Sequence, residues 1–229
     1  IISFLGDIHI PKRVNCLSSI FEKPDWLYFD NSRKLNLLTK LFARSSAGLR
    51  FGSYLPLFGI NDRNFNHEKS YFLSQKLLFL DGYFNQNWDY KRLHSLFSVL
   101  KLKKIKLNKE QLKICNQNVL IHIRGGDFLS INNLNICKLA YYKNSIEYFL
   151  LKGSKNFIVI CEDQSYGKDL IKELKNYFTD LRISILKSDS IKNDFNLIRC
   201  SKLAILSNST FSWWASFLSN KKKEIFSFF

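Results

Sequence analysis

Val119-Leu120-Ile121-His122-Ile123-Arg124-Gly125-Gly126-Asp127 is the stretch on which the fold turns. It is a short apolar run with almost no polar interruption, ended by two glycines and an acid. Such a run reads as a strand buried on both faces, the kind found in parallel sheets. Side chains alternate along a strand, so His122 and Arg124 share a face. Gly125-Gly126 lets the backbone turn tightly and approach a ligand.

Downstream, the pattern repeats. Residues 141–152 have helical spacing, with Ile146, Phe149 and Leu150 on one side. A second apolar run, 157–161, ends in Glu162-Asp163. A helix is expected at 167–178, a third strand at 183–186, and a short helix at 194–200 opened by Asp194. A fourth strand, 203–206, runs into Ser207-Asn208-Ser209, followed by a helix over 210–218 and a fifth strand from 224. Alternating strands and helices of this kind predict an α/β domain with a parallel sheet and helices on both faces. Ligands of such sheets bind beyond the carboxyl ends of the strands. Three small or polar patches fall there: 124–127, 162–163 and 208–210.

The first half is less patterned. Short apolar pieces at 26–29 and 77–80 stand among polar and basic stretches, and the region reads as mixed and mostly helical. Residues 101–109 (KLKKIKLNK) hold five lysines, with Leu102, Ile105 and Leu107 suited to one side of a short, solvated helix. The formal net charge is +16, with +9 in residues 1–112 and +7 in 113–229, so the excess is spread along the chain. A basic surface points to anionic partners; a general Lys, Ile and Asn bias of the composition accounts for it equally well. The five cysteines show no metal or redox spacing, which suits a reduced, cytosolic setting. No run is long and apolar enough for a membrane span. The phosphate-loop, dinucleotide-binding and HExxH templates are all missing, and the four histidines are too dispersed for a metal site.

Three constellations carry chemistry. Arg124 offers a planar fork of donors suited to a diphosphate, and Asp127 would hold Arg124 or act as a base; a plain Arg–Asp pair is the other reading. Asn208, Ser209 and Thr210 stand where a strand hands over to a helix, whose N-terminal N–H groups attract phosphate. Ser209 or Thr210 would equally serve as an N-cap. Glu162 and Asp163 would accept sugar hydroxyls or a proton, or simply begin a loop. Trp213 and Trp214 read as core rather than as a sugar platform.

HIRGGDF at 122–128 and SNSTFSWWASFL at 207–218 resemble the two signatures of the family 11 α-1,2-fucosyltransferases, in the same order and spacing. Tyr141-Tyr142-Lys143 with Ile146, the 157–163 strand, Asp194-Phe195-Asn196-Leu197 and the 80–85 segment also resemble that family. The resemblance implies a GT-B-like arrangement with residues 1–112 on the acceptor side. Residues 113–229 would be a Rossmann-like GDP-sugar-binding domain. It further implies an inverting transfer of L-fucose from GDP-β-L-fucose to a galactose 2-hydroxyl, with no obligatory metal and no cofactor beyond the donor. Arg124 would bind the β-phosphate. Asn208, Ser209 and Thr210 would line the diphosphate. His122, Gly125, Gly126 and Asp127 would shape the arginine loop, with Asp127 also the expected base; Glu162 and Asp163 would complete the donor site.

The expected partners are GDP-fucose and a galactose-terminated, lipid-linked glycan acceptor of a surface polysaccharide, with no nucleic acid. The expected location is the cytoplasm, peripheral on the inner membrane face. No segment matches the family's Gly-rich opening and the chain begins without Met, so a chain truncated at both ends is expected. That missing segment also keeps open a second reading, a nucleotide- or glycan-binding protein of this fold without turnover.

Overall fold

A computed structural model describes residues 20–22, 102–104, 107–126, 129, 137–187, 190–219 and 223–227. It also describes the backbone of four short strands in the first half. The chain divides into two compact units, Ile1–Lys103 and Lys104–Phe229.

In the first unit, β1 (Ile2–Phe4) pairs in parallel with β2 (Leu27–Phe29), and β3 (Leu57–Asn61) pairs in parallel with β4 (Leu77–Asp81). The apolar pieces read at 26–29 and 77–80 therefore fall on β2 and β4. Leu102 forms an antiparallel bridge with Phe21, beside a Lys103 N–H bond to the Ile20 carbonyl at 2.9 Å. This corrects the helix expected through Leu102 and Leu107: Leu102 is extended, and helix starts only at Lys109.

In the second unit, α1 (Lys109–Gln117) leads into β5 (Val119–Ile123). Asn108 and Gln111 form a reciprocal capping box that starts α1. Next come α2 (Leu139–Leu151), β6 (Asn156–Cys161), α3 (Gln164–Tyr177), β7 (Arg182–Leu186), α4 (Ile191–Cys200), β8 (Leu203–Leu206), α5 (Thr210–Phe217) and β9 (Glu224–Ser227). All five strands are parallel, in the order β7-β6-β5-β8-β9. This α/β architecture agrees with the GT-B-like expectation.

The centre of the sheet is dry on both sides, and every residue of β5 is buried. Val119, Ile121 and Ile123 join Phe157 and Val159 of β6 in one core. Tyr142, Ile146 and Phe149 of α2 and Leu170, Ile171 and Leu174 of α3 cover that face. Burying one such side chain stabilises the fold by about 1.5–3 kcal/mol. On the opposite face, the His122 ring meets Phe211 of α5, and Phe211 meets Phe195 of α4. Helix α1 is tied to α4 and β8 through Cys115. Its thiol donates to the Leu197 carbonyl at 3.6 Å, and its carbonyl accepts the Lys202 N–H at 3.0 Å.

Two helix starts differ from the sequence reading. Helix α4 begins at Ile191 with Ser190 as its N-cap, whose hydroxyl accepts the Asn193 N–H, so Asp194 lies in the first turn instead of opening the helix. Helix α3 begins at Gln164 because Asp163 caps it. A single backbone N–H bond accepted by a capping side chain marks each start, three residues before the expected one.

Strand order reverses at β5: β6 and β7 build outward on one side, β8 and β9 on the other. Loops leaving the carboxyl ends of β5 and β8 therefore turn to opposite faces, the arrangement at which parallel sheets of this kind bind ligands.

Candidate active site

The switch point brings the 124–126 loop beside the turn from β8 into α5. The last register pairs are His122 with Leu206 and Ile123 with Cys161. Arg124 thus leaves the sheet between Glu162 of the β6 loop and Ser207 of the β8 loop.

Arg124 Nη1 donates to Glu162 Oε2 at 3.2 Å. The arginine side chain is only 16% exposed, whereas Glu162 is 76% exposed. A pair with one partner so wet is worth about 0–1 kcal/mol. The arginine is held by its surroundings more than by this bond. Asp163 plays a different part, because its Oδ1 accepts the Tyr166 N–H at 3.1 Å and caps α3. The acidic dipeptide thus separates into one carboxylate facing Arg124 and one committed to a helix end.

Gly125 is buried, and a Cβ placed on it would come within 2.9 Å of the Tyr166 ring and 3.2 Å of the Asp163 Cβ. No side chain fits there. Gly126 has φ +62°, a left-handed conformation that glycine adopts without penalty. Asp127 lies outside the described residues.

His122 is 6% exposed and its Nδ1 lies 2.8 Å from Ser207 Oγ, a hydrogen bond between two buried side chains. Burial, and then the neighbouring Arg124 charge, lower its pKa to about 3, so the imidazole is neutral at physiological pH. It serves as a hydrogen-bonding group beneath the arginine loop and not as a second cation.

On the β8 side, the Asn208 N–H donates to Cys137 Sγ at 3.3 Å, and that thiol donates to Asn208 Oδ1 at 3.5 Å. Burial raises the Cys137 pKa, so the sulfur stays a thiol. Ser209 occupies the N-cap of α5, yet its side chain makes no capping bond. Asn108, Asp163 and Ser190 do cap their helices. The first-turn N–H groups of α5 have no acceptor within their own helix, as at any helix start. Ser209 thus stands at the N-cap position that the sequence offered, without a capping bond from its side chain. Thr210 is exposed at the first helical position.

His122, Arg124, Gly125, Gly126, Glu162, Asn208, Ser209 and Thr210 thus lie along one edge of the sheet, with Asp163 just behind them. Sequence reasoning missed Ser207 and Cys137 as the side chains that hold His122 and Asn208. Ser207 lay within the quoted motif; Cys137 carried no local signal, because its partner is 71 residues away. Trp213 and Trp214 are half-buried, with Trp213 stacked on Phe217 at 5.0 Å. Among the described residues no three His, Cys, Asp or Glu converge to hold a metal ion. No helix among them is long and apolar enough to cross a membrane.

Comparison with known proteins places this edge in context. An α-1,2-colitosyltransferase of Escherichia coli is 33% identical over 113 residues, covering 46% of this chain and 38% of that protein. An O-antigen biosynthesis glycosyltransferase of Escherichia coli is 24% identical over 137 residues, covering 52% and 44%. A galactoside 2-α-L-fucosyltransferase of Caenorhabditis elegans is 25% identical over 166 residues, covering 66% and 45%. The chain therefore spans less than half the length of these relatives. The family model described as glycosyl transferase family 11 matches residues 63–226, most of the chain and all of the sheet edge just described. The parallel sheet, the arginine loop on β5 and the Ser-Asn-Ser-Thr turn into α5 all fall within that match, and the chain belongs to glycosyl transferase family 11.

Proposed function

We propose that this chain carries the donor-binding part of an inverting glycosyltransferase. It would move L-fucose from GDP-β-L-fucose to the 2-hydroxyl of a terminal galactoside in a surface glycan. The observation that supports this most is that β5, which leads into Arg124, lies beside β8, which leads into the start of α5.

The acceptor hydroxyl attacks the anomeric carbon from the face opposite GDP. The bond from that carbon to the β-phosphate oxygen breaks, and negative charge grows on the diphosphate. Arg124 and the first-turn N–H groups of α5, from Thr210 onward, would offset that charge, with Asn208 and Ser209 lining the site. Gly125 and Gly126 let the backbone approach the phosphates, and neutral His122 supports the loop from below. The acceptor proton needs a base. Asp127 is the first candidate, and Glu162, exposed beside Arg124, suits that role better than Asp163, whose carboxylate caps α3. The names of the Escherichia coli and Caenorhabditis elegans relatives support an O-antigen-type or galactoside acceptor. A lipid-linked acceptor would bring the basic chain to the inner membrane face.

A second donor follows from the relative at 33% identity, a colitosyltransferase. Calorimetric titration of the chain with GDP-fucose, the corresponding colitose nucleotide and GDP-mannose separates the readings. Selective fucose-nucleotide binding that Arg124→Ala weakens supports the proposal. Preference for the colitose nucleotide transfers it to that sugar, and equal affinity for all three removes sugar specificity from this part of the protein. Binding without sugar transfer, once the full-length protein is assayed, would favour a non-catalytic binding protein.

A further inference from the structure

The two halves of the proposed diphosphate site belong to different strands, and one buried contact joins them. His122 lies on β5, two residues before Arg124. Ser207 follows β8 and begins the turn into α5. Their side chains are 2.8 Å apart, with His122 6% and Ser207 0% exposed.

Ser207 is engaged twice. While its hydroxyl meets the imidazole, its carbonyl accepts the Ser209 N–H at 2.7 Å, closing a three-residue turn that aims the chain into α5. The imidazole also touches the far end of the same turn, because its ring lies 5.8 Å from that of Phe211 in the first turn of α5. Phe211 in turn is backed by Phe195 of α4 at 5.6 Å. The 207–211 segment is thus gripped at both ends by one side chain of β5. Leu206 pairs with His122 in the sheet, so Ser207 is the first residue beyond the ladder and the point at which the segment would otherwise be loose.

We infer that Ser207 is a positioning residue for the diphosphate site, its bond to His122 fixing the spacing between Arg124 and the N-terminus of α5. This rests on the reading that those two groups bind the donor diphosphate. A buried hydroxyl–imidazole pair is well matched to that role, since neither partner has water as an alternative and neither adds a charge that competes with the ligand.

The test is an NMR titration of the 229-residue chain with GDP and with guanosine, run on the native sequence, on Ser207→Ala and on Ser207→Thr. Long-range nitrogen spectra of the His122 ring are recorded alongside. Ser207→Ala should weaken GDP binding about ten-fold and leave guanosine affinity unchanged, because only the phosphate end depends on the spacing. The His122 ring nitrogens should shift in Ser207→Ala, and Ser207→Thr, which keeps the hydroxyl, should restore GDP affinity. Equal loss for GDP and guanosine would show general structural damage and overturn the positioning role, as would no loss for either. A native chain that binds guanosine but gains nothing from the diphosphate overturns the donor-site reading itself; native GDP binding that Ser207→Ala leaves intact overturns this inference alone.

Discussion

Arg124 Nη1 and Glu162 Oε2 are 3.2 Å apart across the ends of β5 and β6, while the next residue, Asp163, turns its carboxylate to the Tyr166 N–H. The largely buried arginine therefore meets an exposed partner in a weak ion pair, and the neighbouring acid belongs to the scaffold. The two carboxylates should respond to mutation in opposite ways.

Arg124→Ala should weaken GDP binding by about 1.5–3 kcal/mol, the worth of a hydrogen bond to a charged group. Thermal stability should fall modestly, because the Glu162 contact is largely exposed but the arginine side chain itself is mostly buried and its packing is lost. Calorimetry and a melting curve on the same preparation check both halves.

Asp163→Ala should lower stability by about 1 kcal/mol through loss of the α3 cap. Asp163→Asn should keep most of that stability, since an amide oxygen also accepts the Tyr166 N–H. A denaturant titration of the three chains decides it; equal loss in both variants would mean that the charge, and not the cap, matters.

Gly125→Ala should destabilise by about 1–3 kcal/mol, because the added methyl is driven against the Tyr166 ring and the Asp163 side chain. Gly126→Ala meets no such wall and should cost about 1–2 kcal/mol, from its left-handed backbone alone. Replacing Tyr166 by Leu should relieve the first variant and leave the second unchanged.

His122 has a folded-state pKa of about 3, below its usual value of 6.5. The unfolded chain therefore binds more protons than the folded chain between those values, and stability rises with pH across that window. The contribution is complete above pH 6.5 and is lost as pH falls toward 3. Urea unfolding at stepped pH should show this slope. His122→Asn, whose side chain can still meet Ser207 and does not titrate, should flatten it.

Tyr142 is fully buried, and its hydroxyl has no hydrogen-bond partner among the described residues. Tyr142→Phe removes a buried polar atom that no described residue satisfies, so it should be neutral or stabilising by up to about 1 kcal/mol. A fall in melting temperature would reveal a partner for that oxygen.

The local sequence carried much of this architecture. Unbroken apolar runs at β5, β6 and β8, each closed by small or polar residues, are signals a few residues long, and they predicted a parallel sheet with its ligand edge at 124–127, 162–163 and 208–210. Hydrophobic periodicity likewise revealed α2, α3 and α5, because the requirement to bury one face acts on neighbours in the chain. Strand order was a different matter: five alternating elements fit several orders. Only packing put β8 beside β5 on the side away from β6, and this placed the Ser207 turn against His122. The sequence also left Glu162 and Asp163 equivalent, placed the start of α4 at Asp194, and held no sign of Cys137. Each of these was settled by a hydrogen bond whose partner came from a fold-dependent position, whether three residues along a helix start or 71 residues away across the sheet. Periodicity is a property of the chain and survives without a fold, whereas the pairing of buried polar groups exists only once the strands are in order.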